Sequence, residues 1–429
     1  MKDLRAIVLA AGKGTRMKSD IPKVLHTVAG KALIEYAIDL VMAVGSLKIC
    51  LVLGHQVEGV KKFLQKKGKV FDVAVQKKLL GTADAVRSAA GFFRSHRGHV
   101  LILCGDTPLL CNKTVDDLVK RHFKSRAACT LLTAVVEKSD GYGRILRDAS
   151  GKVTGIREHN DANKIEKNIK EINVGVYCFE SGVLFESLKQ IKMNPQKKEF
   201  YLTDIIGILV KRDVKIESVS TQDWREGLGV NTREDLATAE GILRQRILKS
   251  FMLSGVTIVD PQTTYIHEDV KIGTDTTIRP FTVIENDVRI GQRCSIGPFA
   301  RLRPGSRIAN GVEVGNFAEV SRSQIGERSL MKHFGFIGDA EVGRNVNIGA
   351  GTVTANFDGK TKNKTIISDQ AFIGSDSILV APVKIGKKAI TGAGCVVTKG
   401  KIIPDESIVV GVPGKVISKK LNSGNRRHR

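Results

Sequence analysis

Ile284 to Val320 reads IENDVRIGQRCSIGPFARLRPGSRIANGVEVGNFAEV, with an aliphatic residue at every sixth position: Ile284, Ile290, Ile296, Leu302, Ile308, Val314 and Val320. The same spacing runs back through Ile278 and Ile272 to Ile266. A helix repeats every 3.6 residues and a half-buried strand every 2, so neither gives a period of six. A hexapeptide coil with one inward aliphatic per flat side does. Glycine follows many of these positions, as at Gly273, Gly291 and Gly297, which suits a tight corner between sides. After a slip near Ile325 and a break at 356–365, the spacing resumes at Ile367, Ile373, Leu379 and Ile385. It continues through Thr391, Val397, Ile403 and Val409. Residues 254–417 are therefore expected to form a parallel β-helix with one loop extruded near 356–365. Such a loop suggests contact with a ligand or a neighbouring subunit, because a rigid scaffold positions its loops for function.

The 429 residues give ample length for two cores. The formal charge of +24 raises the question of nucleic acid, but Lys and Arg are dispersed and aromatics make up only 5% of the chain. A basic stripe with interleaved aromatics is missing, so anionic small substrates fit better than nucleic acid, and many of these charges are simply solvated. Only Arg426-Arg427-His428-Arg429, in the tail 418–429, is locally dense. Seven scattered cysteines with no C-x-x-C pair suit a reducing compartment. No apolar run is long enough to span a bilayer or serve as a signal peptide, so a soluble cytoplasmic protein is expected.

Arg5 to Ala11 (RAIVLAA) is an apolar run ending in Gly12-Lys13-Gly14-Thr15-Arg16-Met17. Further strand-like runs at 47–54 and 99–104 alternate with a helix-like stretch at 32–44, which predicts an α/β domain with a mainly parallel sheet. Ligands of such domains bind at the carboxyl ends of the strands. Thr232 to Leu253 has helical spacing and is expected to link the two domains, 1–231 and 254–417. Gly12-x-Gly14 alone fits either a bare tight turn or a phosphate cradle. Lys13, Arg16 and Lys23 add fixed cations and favour a nucleoside triphosphate. Asp106, at the end of an apolar strand, reads either as a helix N-cap or as a ligand of a hard cation such as Mg2+.

With LAAGKGTRM at Leu9–Met17 and PKVLH at Pro22–His26, the first half resembles the sugar-1-phosphate nucleotidyltransferases. With the β-helix behind it, the whole chain resembles the family joining N-acetylglucosamine-1-phosphate uridylyltransferase to glucosamine-1-phosphate N-acetyltransferase. The resemblance implies a Rossmann-like α/β nucleotidyltransferase domain followed by a left-handed parallel β-helix of hexapeptide repeats. It implies UTP, N-acetylglucosamine-1-phosphate, glucosamine-1-phosphate and acetyl-CoA as substrates. Leu9, Ala10, Ala11, Gly12 and Gly14 would hold the triphosphate, with Arg16 and Lys23 catalytic, and Gln76, Gly81 and Thr82 would read the uracil. Gly105-Asp106 and Asn231 would hold Mg2+, and Gly143, Glu158 and Asn173 the sugar. One departure here is Cys104, where the best-known members carry Tyr.

For the β-helix, the resemblance implies a homotrimer and an acetyltransferase whose base is His333. Arg303, Asn347, Asn356 and Lys362 would meet the acceptor, and Ala350, Ser375 and Ala393 the acetyl-CoA. Three positions depart from the family: Ser321 replaces a phosphate-binding lysine, and Phe336 and Phe357 replace tyrosines. Arg322 could supply the missing cation, although neighbours along a strand point to opposite faces. These departures leave open a β-helix that is inactive or serves another amine. A non-catalytic regulatory subunit, the other class with this domain pairing, could dispense with the phosphate loop and metal ligands that this chain retains.

Overall fold

The computed structural model describes residues 3–46 and 48–419. Leu47 and the dense basic tail lie outside the described residues. The chain divides into two compact units, Met1–Ile242 and Leu243–Arg429, and the helix Arg233–Leu253 runs across that division.

The first unit is built on β1 (Leu4–Ala10), β2 (Ile49–Leu53), β3 (Asp72–Val75), β4 (His99–Cys104), β5 (Cys129–Val135), β6 (Glu171–Glu180) and β7 (Ile216–Ser220). Their order across the sheet is β7-β5-β6-β4-β1-β2-β3. Both faces are covered, which is why β1 and β4 read as unbroken apolar runs. Ala6 and Val8 pack with Ile34, Ile38 and Val41 of the helix Leu33–Ala43 on one side. Ile7 packs with Val86, Leu184 and Leu209 on the other. Each such aliphatic side chain contributes about 1.5–3 kcal/mol by leaving water.

Neighbouring strands are parallel except around β6, which runs antiparallel to both β4 and β5. The cause lies in the connection. Between β5 and β6 the chain forms a hairpin (Arg144–Arg147 with Val153–Arg157), not a crossover helix, and an antiparallel return needs none. With Tyr177 opposite Ile102, the reversed direction brings the start of β6 beside the carboxyl end of β4. That edge also receives Gly105, whose N–H donates to Leu9 O at 2.8 Å, and Gln76, whose N–H donates to Leu53 O at 2.8 Å.

The second unit is a prism of three parallel sheets with ten, eight and eight strands, closed by one antiparallel strand, Lys415–Lys419. This is the parallel β-helix that the period of six predicts, of the left-handed kind that the resemblance implies. Each regular coil advances 18 residues, so Ile266 pairs with Ile284, Ile284 with Leu302 and Leu302 with Val320. Ile278, Ile284, Ile296 and Leu302 are fully buried along the axis. The slip expected near Ile325 extends further. Val320 pairs with Ile337 and Ile325 with Val342, 17 residues on, because one side is a residue short in two successive coils. Val342 then pairs with Ile367 because the loop at 356–364 leaves the prism in between. Its inner turn is fixed by Asp358, which accepts from the N–H groups of Lys360 (3.1 Å) and Thr361 (2.8 Å) and from Asn363 Nδ2 (3.0 Å).

Candidate functional site

At the carboxyl edge of β4, β1, β2 and β3, a cavity of about 670 Å³ is lined by Leu9, Ala11, Gly12, Gly14, Arg16, Lys23, Gln76, Gly81, Thr82, Asp106, Glu158 and Asn231. Gly14 has φ +63°, and a Cβ there would lie 2.6 Å from the Cβ of Lys23. Only glycine lets the loop and the lysine stem come that close. The Lys23 ammonium then donates to Asp106 Oδ2 and, at 2.8 Å, to Asn231 Oδ1. Arg16 Nη2 donates to the same Asn231 oxygen at 3.0 Å. Asp106 is not a helix N-cap: the next helix is Asn112–Ser125, with Cys111 at its cap. Asn231 reaches Asp106 because Val230 N–H donates to Asp106 O at 2.8 Å. A capping box anchors it, since Asp235 Oδ2 accepts from the N–H groups of Asn231 and Thr232, and Asp235 N–H donates to Thr232 Oγ1. Asp106 and Asn231 thus turn two hard oxygens toward the Lys23 ammonium, and the same oxygen chemistry would suit a hard divalent ion such as Mg2+.

Gln76 is 4% exposed, and its amide nitrogen donates to Gly81 O (3.0 Å) and Asp84 Oδ2 (2.8 Å). Gly81, at φ +97°, lacks a Cβ where one would lie 2.6 Å from Phe200 O. Ala10 and Gly105 do not line the cavity. Gly143 and Asn173 lie just beyond it, joined by the Asn173 N–H to Gly143 O bond at 2.8 Å. Asn173 occurs where the β5–β6 register shifts, and its side chain is held by Tyr177 Oη (2.7 Å) and Gly175 N–H (3.2 Å). Such a bulge re-aims side chains. Glu158 accepts from Thr203 Oγ1 at 2.7 Å. Burial pushes its carboxyl above the ordinary range, against the Thr203 bond and with help from Asp161 and Asp204.

In the second unit the candidate residues separate onto opposite edges of the sheet containing Gly335–Gly338. On the edge where strands begin, His333, Asn347, Ala350, Ser375 and Ala393 line a cavity of about 490 Å³. On the edge where strands end stand Arg303, Ser321, Asn356 and Lys362. There Asp339 receives two bonds from Arg322 (Nε 2.7 Å, Nη2 2.9 Å) and one from Asn356 Nδ2. The Arg322 bonds foremost, with Asn356 and Lys362 adding, hold the Asp339 carboxyl below its usual range despite desolvation. The strand alternation expected to separate Arg322 from Ser321 does not operate. Arg322 has φ +49° at the corner, so its Nη1 turns back to donate to the buried Ser321 Oγ at 2.8 Å. Phe336 lies on the face between the two groups, and Phe357 is exposed on the loop.

Residues 5–235 match the nucleotidyl transferase family. Residues 287–322 match the bacterial transferase hexapeptide (six repeats), and 364–399 the hexapeptide repeat of succinyl-transferase. The bifunctional protein GlmU of Acetivibrio thermocellus is 41% identical, over 96% of this chain and 95% of its own. The chain belongs to the GlmU family. The GlmU of a Geobacillus species is 43% identical over 94% of each chain, and that of Bacillus subtilis 41% identical over 96% of this chain and 95% of its own. Among solved structures, a UDP-glucose pyrophosphorylase complexed with UDP-glucose is similar over 57% of this chain and all of its own, with a TM-score of 0.48 and 18% identity. As a GlmU-family member, the chain is a bifunctional enzyme, a nucleotidyltransferase joined to hexapeptide acetyltransferase repeats.

In this GlmU-family chain, sequence reasoning missed several groups that the fold supplies. Tyr201 and Glu199 line the first unit's cavity, and Thr203 holds Glu158. Their segment meets the Gly81 turn through Phe200 N–H to Leu80 O (2.7 Å) and Ala83 N–H to Phe200 O (3.0 Å). The only available signal was a polar, aromatic cluster, EFYLTD, ahead of the helix Asp204–Lys211.

Proposed function

We propose that the first unit transfers a uridylyl group from UTP to N-acetylglucosamine-1-phosphate with Mg2+, and that the second acetylates glucosamine-1-phosphate from acetyl-CoA. Together the two reactions make UDP-N-acetylglucosamine. The observation that carries the first assignment is the meeting of Lys23, Arg16, Asp106 and Asn231 beside the glycine loop. The attacking sugar-phosphate oxygen is already anionic at pH 7, so no base is needed. It bonds to the α-phosphorus as the bond to the bridging oxygen breaks, and pyrophosphate leaves with the electron pair. Arg16 and Lys23 neutralise the departing charge, and the N–H groups of the loop orient the triphosphate. Bound by Asp106 and Asn231, Mg2+ supplies further charge neutralisation. Gln76, its nitrogen already committed, presents an amide oxygen that suits the N3–H of uracil; cytosine has no hydrogen there. Glu158 and Asn173 suit the sugar hydroxyls and its acetamido group.

In the second unit, an ammonium acceptor must lose a proton before it can attack the thioester, and His333 is the base. Ala350, Ser375 and Ala393 form the wall against acetyl-CoA. Arg322, held over Ser321 by Asp339, takes the acceptor phosphate in place of a lysine at 321. Arg322→Ala is expected to raise the KM for glucosamine-1-phosphate about ten- to a hundredfold with a smaller change in kcat, since a charge-assisted hydrogen bond contributes about 1.5–3 kcal/mol. Steady-state acetylation assays at varied acceptor concentration measure this.

One chain keeps His333 and the Arg322–Asp339–Asn356–Lys362 group on separate edges, which supports a homotrimer that brings one chain's edge against the next. Phe281, Phe299 and Phe317 support it too. They stack at the His333 edge with centroids 4.7 and 5.0 Å apart, 51%, 45% and 61% exposed, each in a left-handed conformation disfavoured for a bulky residue. The solution mass should be about three chains. Co-expressing His333→Ala with Asn356→Ala chains should restore about a quarter of wild-type acetylation by random mixing in cyclic trimers. No recovery would place both residues in a site within one chain.

The whole reading is tested by incubating the protein with glucosamine-1-phosphate, acetyl-CoA, UTP and Mg2+, omitting one at a time. UDP-N-acetylglucosamine should form only in the complete mixture, while N-acetylglucosamine-1-phosphate should still accumulate without UTP. Among the described residues no helix is long and apolar enough to cross a membrane, and a cytoplasmic location suits these substrates.

A further inference from the structure

Asp106 Oδ2 and Asn231 Oδ1 do not stand free for a cation. The Lys23 ammonium bonds to both. Asn231 Oδ1 accepts a second bond from Arg16 at 3.0 Å, so the two lone pairs of that oxygen are both engaged. The Lys23 and Asp106 side chains are 11% and 25% exposed, which keeps solvent from screening this contact freely. A divalent ion held between the two residues competes with the ammonium for these oxygens and is repelled by its charge.

We infer that Lys23, assisted by Arg16, is an internal counter-ion of the cation site, which the nucleotide's phosphates must draw away before the divalent ion can bind. The inference rests on the assignment of Asp106 and Asn231 as the cation's ligands. Lys23 suits the part. Its Cβ is packed against Gly14, while three torsions beyond that anchor move the ammonium, so the charge can swing while the backbone stays still. In the resting protein it offsets the cost of a partly buried Asp106 carboxylate. When a triphosphate enters the glycine loop, it offers Lys23 and Arg16 a stronger anionic partner and frees the oxygens of Asp106 and Asn231. Nucleotide and divalent ion therefore bind with positive coupling. By linkage, each raises the other's affinity by the same factor. The free ion alone binds weakly, so the enzyme does not hold metal where no triphosphate has arrived.

The test is Mn2+ binding to the full chain without nucleotide, followed by electron paramagnetic resonance of the free ion. Wild type should bind weakly. Lys23→Met should bind Mn2+ at least tenfold more tightly, although the same change removes a group from the reaction. Lys23→Arg keeps the counter-charge and should stay within about threefold of wild type, which separates loss of charge from loss of fold. The double variant Lys23→Met/Asp106→Asn should lose the tightened binding. If Lys23→Met binds Mn2+ no more tightly than wild type, with unchanged circular dichroism, the counter-ion role is wrong even where Asp106 proves to be a ligand. If tightened binding survives in the double variant, the ion sits elsewhere, and the assignment of Asp106 fails with the inference.

Discussion

Asp106→Ala is expected to lower uridylyl transfer on the order of a thousandfold, the size of loss that follows removal of one preorganised charge-stabilising group from a reacting centre. The carboxylate does two things that alanine cannot. Among the described residues it is the carboxylate bonded to the Lys23 ammonium, and it is the anionic member of the oxygen pair proposed to hold the divalent ion. Asn231 alone offers a neutral oxygen already shared between Lys23 and Arg16, a poor substitute for a carboxylate toward a hard divalent ion. The fold should survive. Asp106 sits after the end of β4, and its backbone carbonyl still accepts from Val230. Pyrophosphate release is the assay, with acetylation in the second unit as the internal control. Acetylation should be unchanged, because the groups assigned to it belong to the β-helix. Undiminished pyrophosphate release from Asp106→Ala would remove this residue from the reaction.

Much of the scaffold was legible because its determinants are local. An aliphatic residue every six positions leaves no other regular structure, and strands buried on both faces announce themselves as apolar runs ending in Gly12 and Gly105. The antiparallel β6 was not legible. Its direction is set by the hairpin before it, whose strands carry no stronger signal than the helices that join the parallel strands. Yet that direction is what brings Asn173 to the nucleotide edge. The two short sides beyond Val320 were half legible: a slip was visible near Ile325, while its repeat at Val342 follows only from coil-to-coil pairing. Alternation misled at Arg322, because a corner residue with φ +49° does not obey the two-residue period of a strand. Most of the residues that the motifs single out in the first unit line one cavity, Ala10 and Gly105 not among them, but spacing could not reveal that Lys23 bonds to Asp106 and Asn231 together. That is a property of side chains more than 80 residues apart.

His333→Ala is expected to reduce the kcat of acetylation by about 10²- to 10⁴-fold, the usual contribution of a positioned general base. The cavity at the start of the strands narrows the choice of base within one chain. Its titratable side chains are Lys332 and His333. Lys332 is bridged to Glu313 at 3.2 Å, which commits its ammonium to a partner on its own chain. A neutral imidazole carries a ring-nitrogen lone pair that can accept the amine's proton. His333 is exposed at a corner between Lys332 and Phe334 and packs into no core, so its loss should leave the coil intact. The main chain continues the ladder there, with Gly351 N–H donating to Phe334 O at 2.8 Å. Acetyl-CoA should still bind, within about threefold of wild type, because Ala350, Ser375 and Ala393 are untouched and a base acts on the amine, not on the thioester carrier. Uridylyl transfer should be unaffected. Added imidazole should restore part of the acetylation, since the cavity left by the side chain opens to solvent. Wild-type acetylation by His333→Ala would leave the base to be sought on the neighbouring chain's edge, among the groups around Asp339.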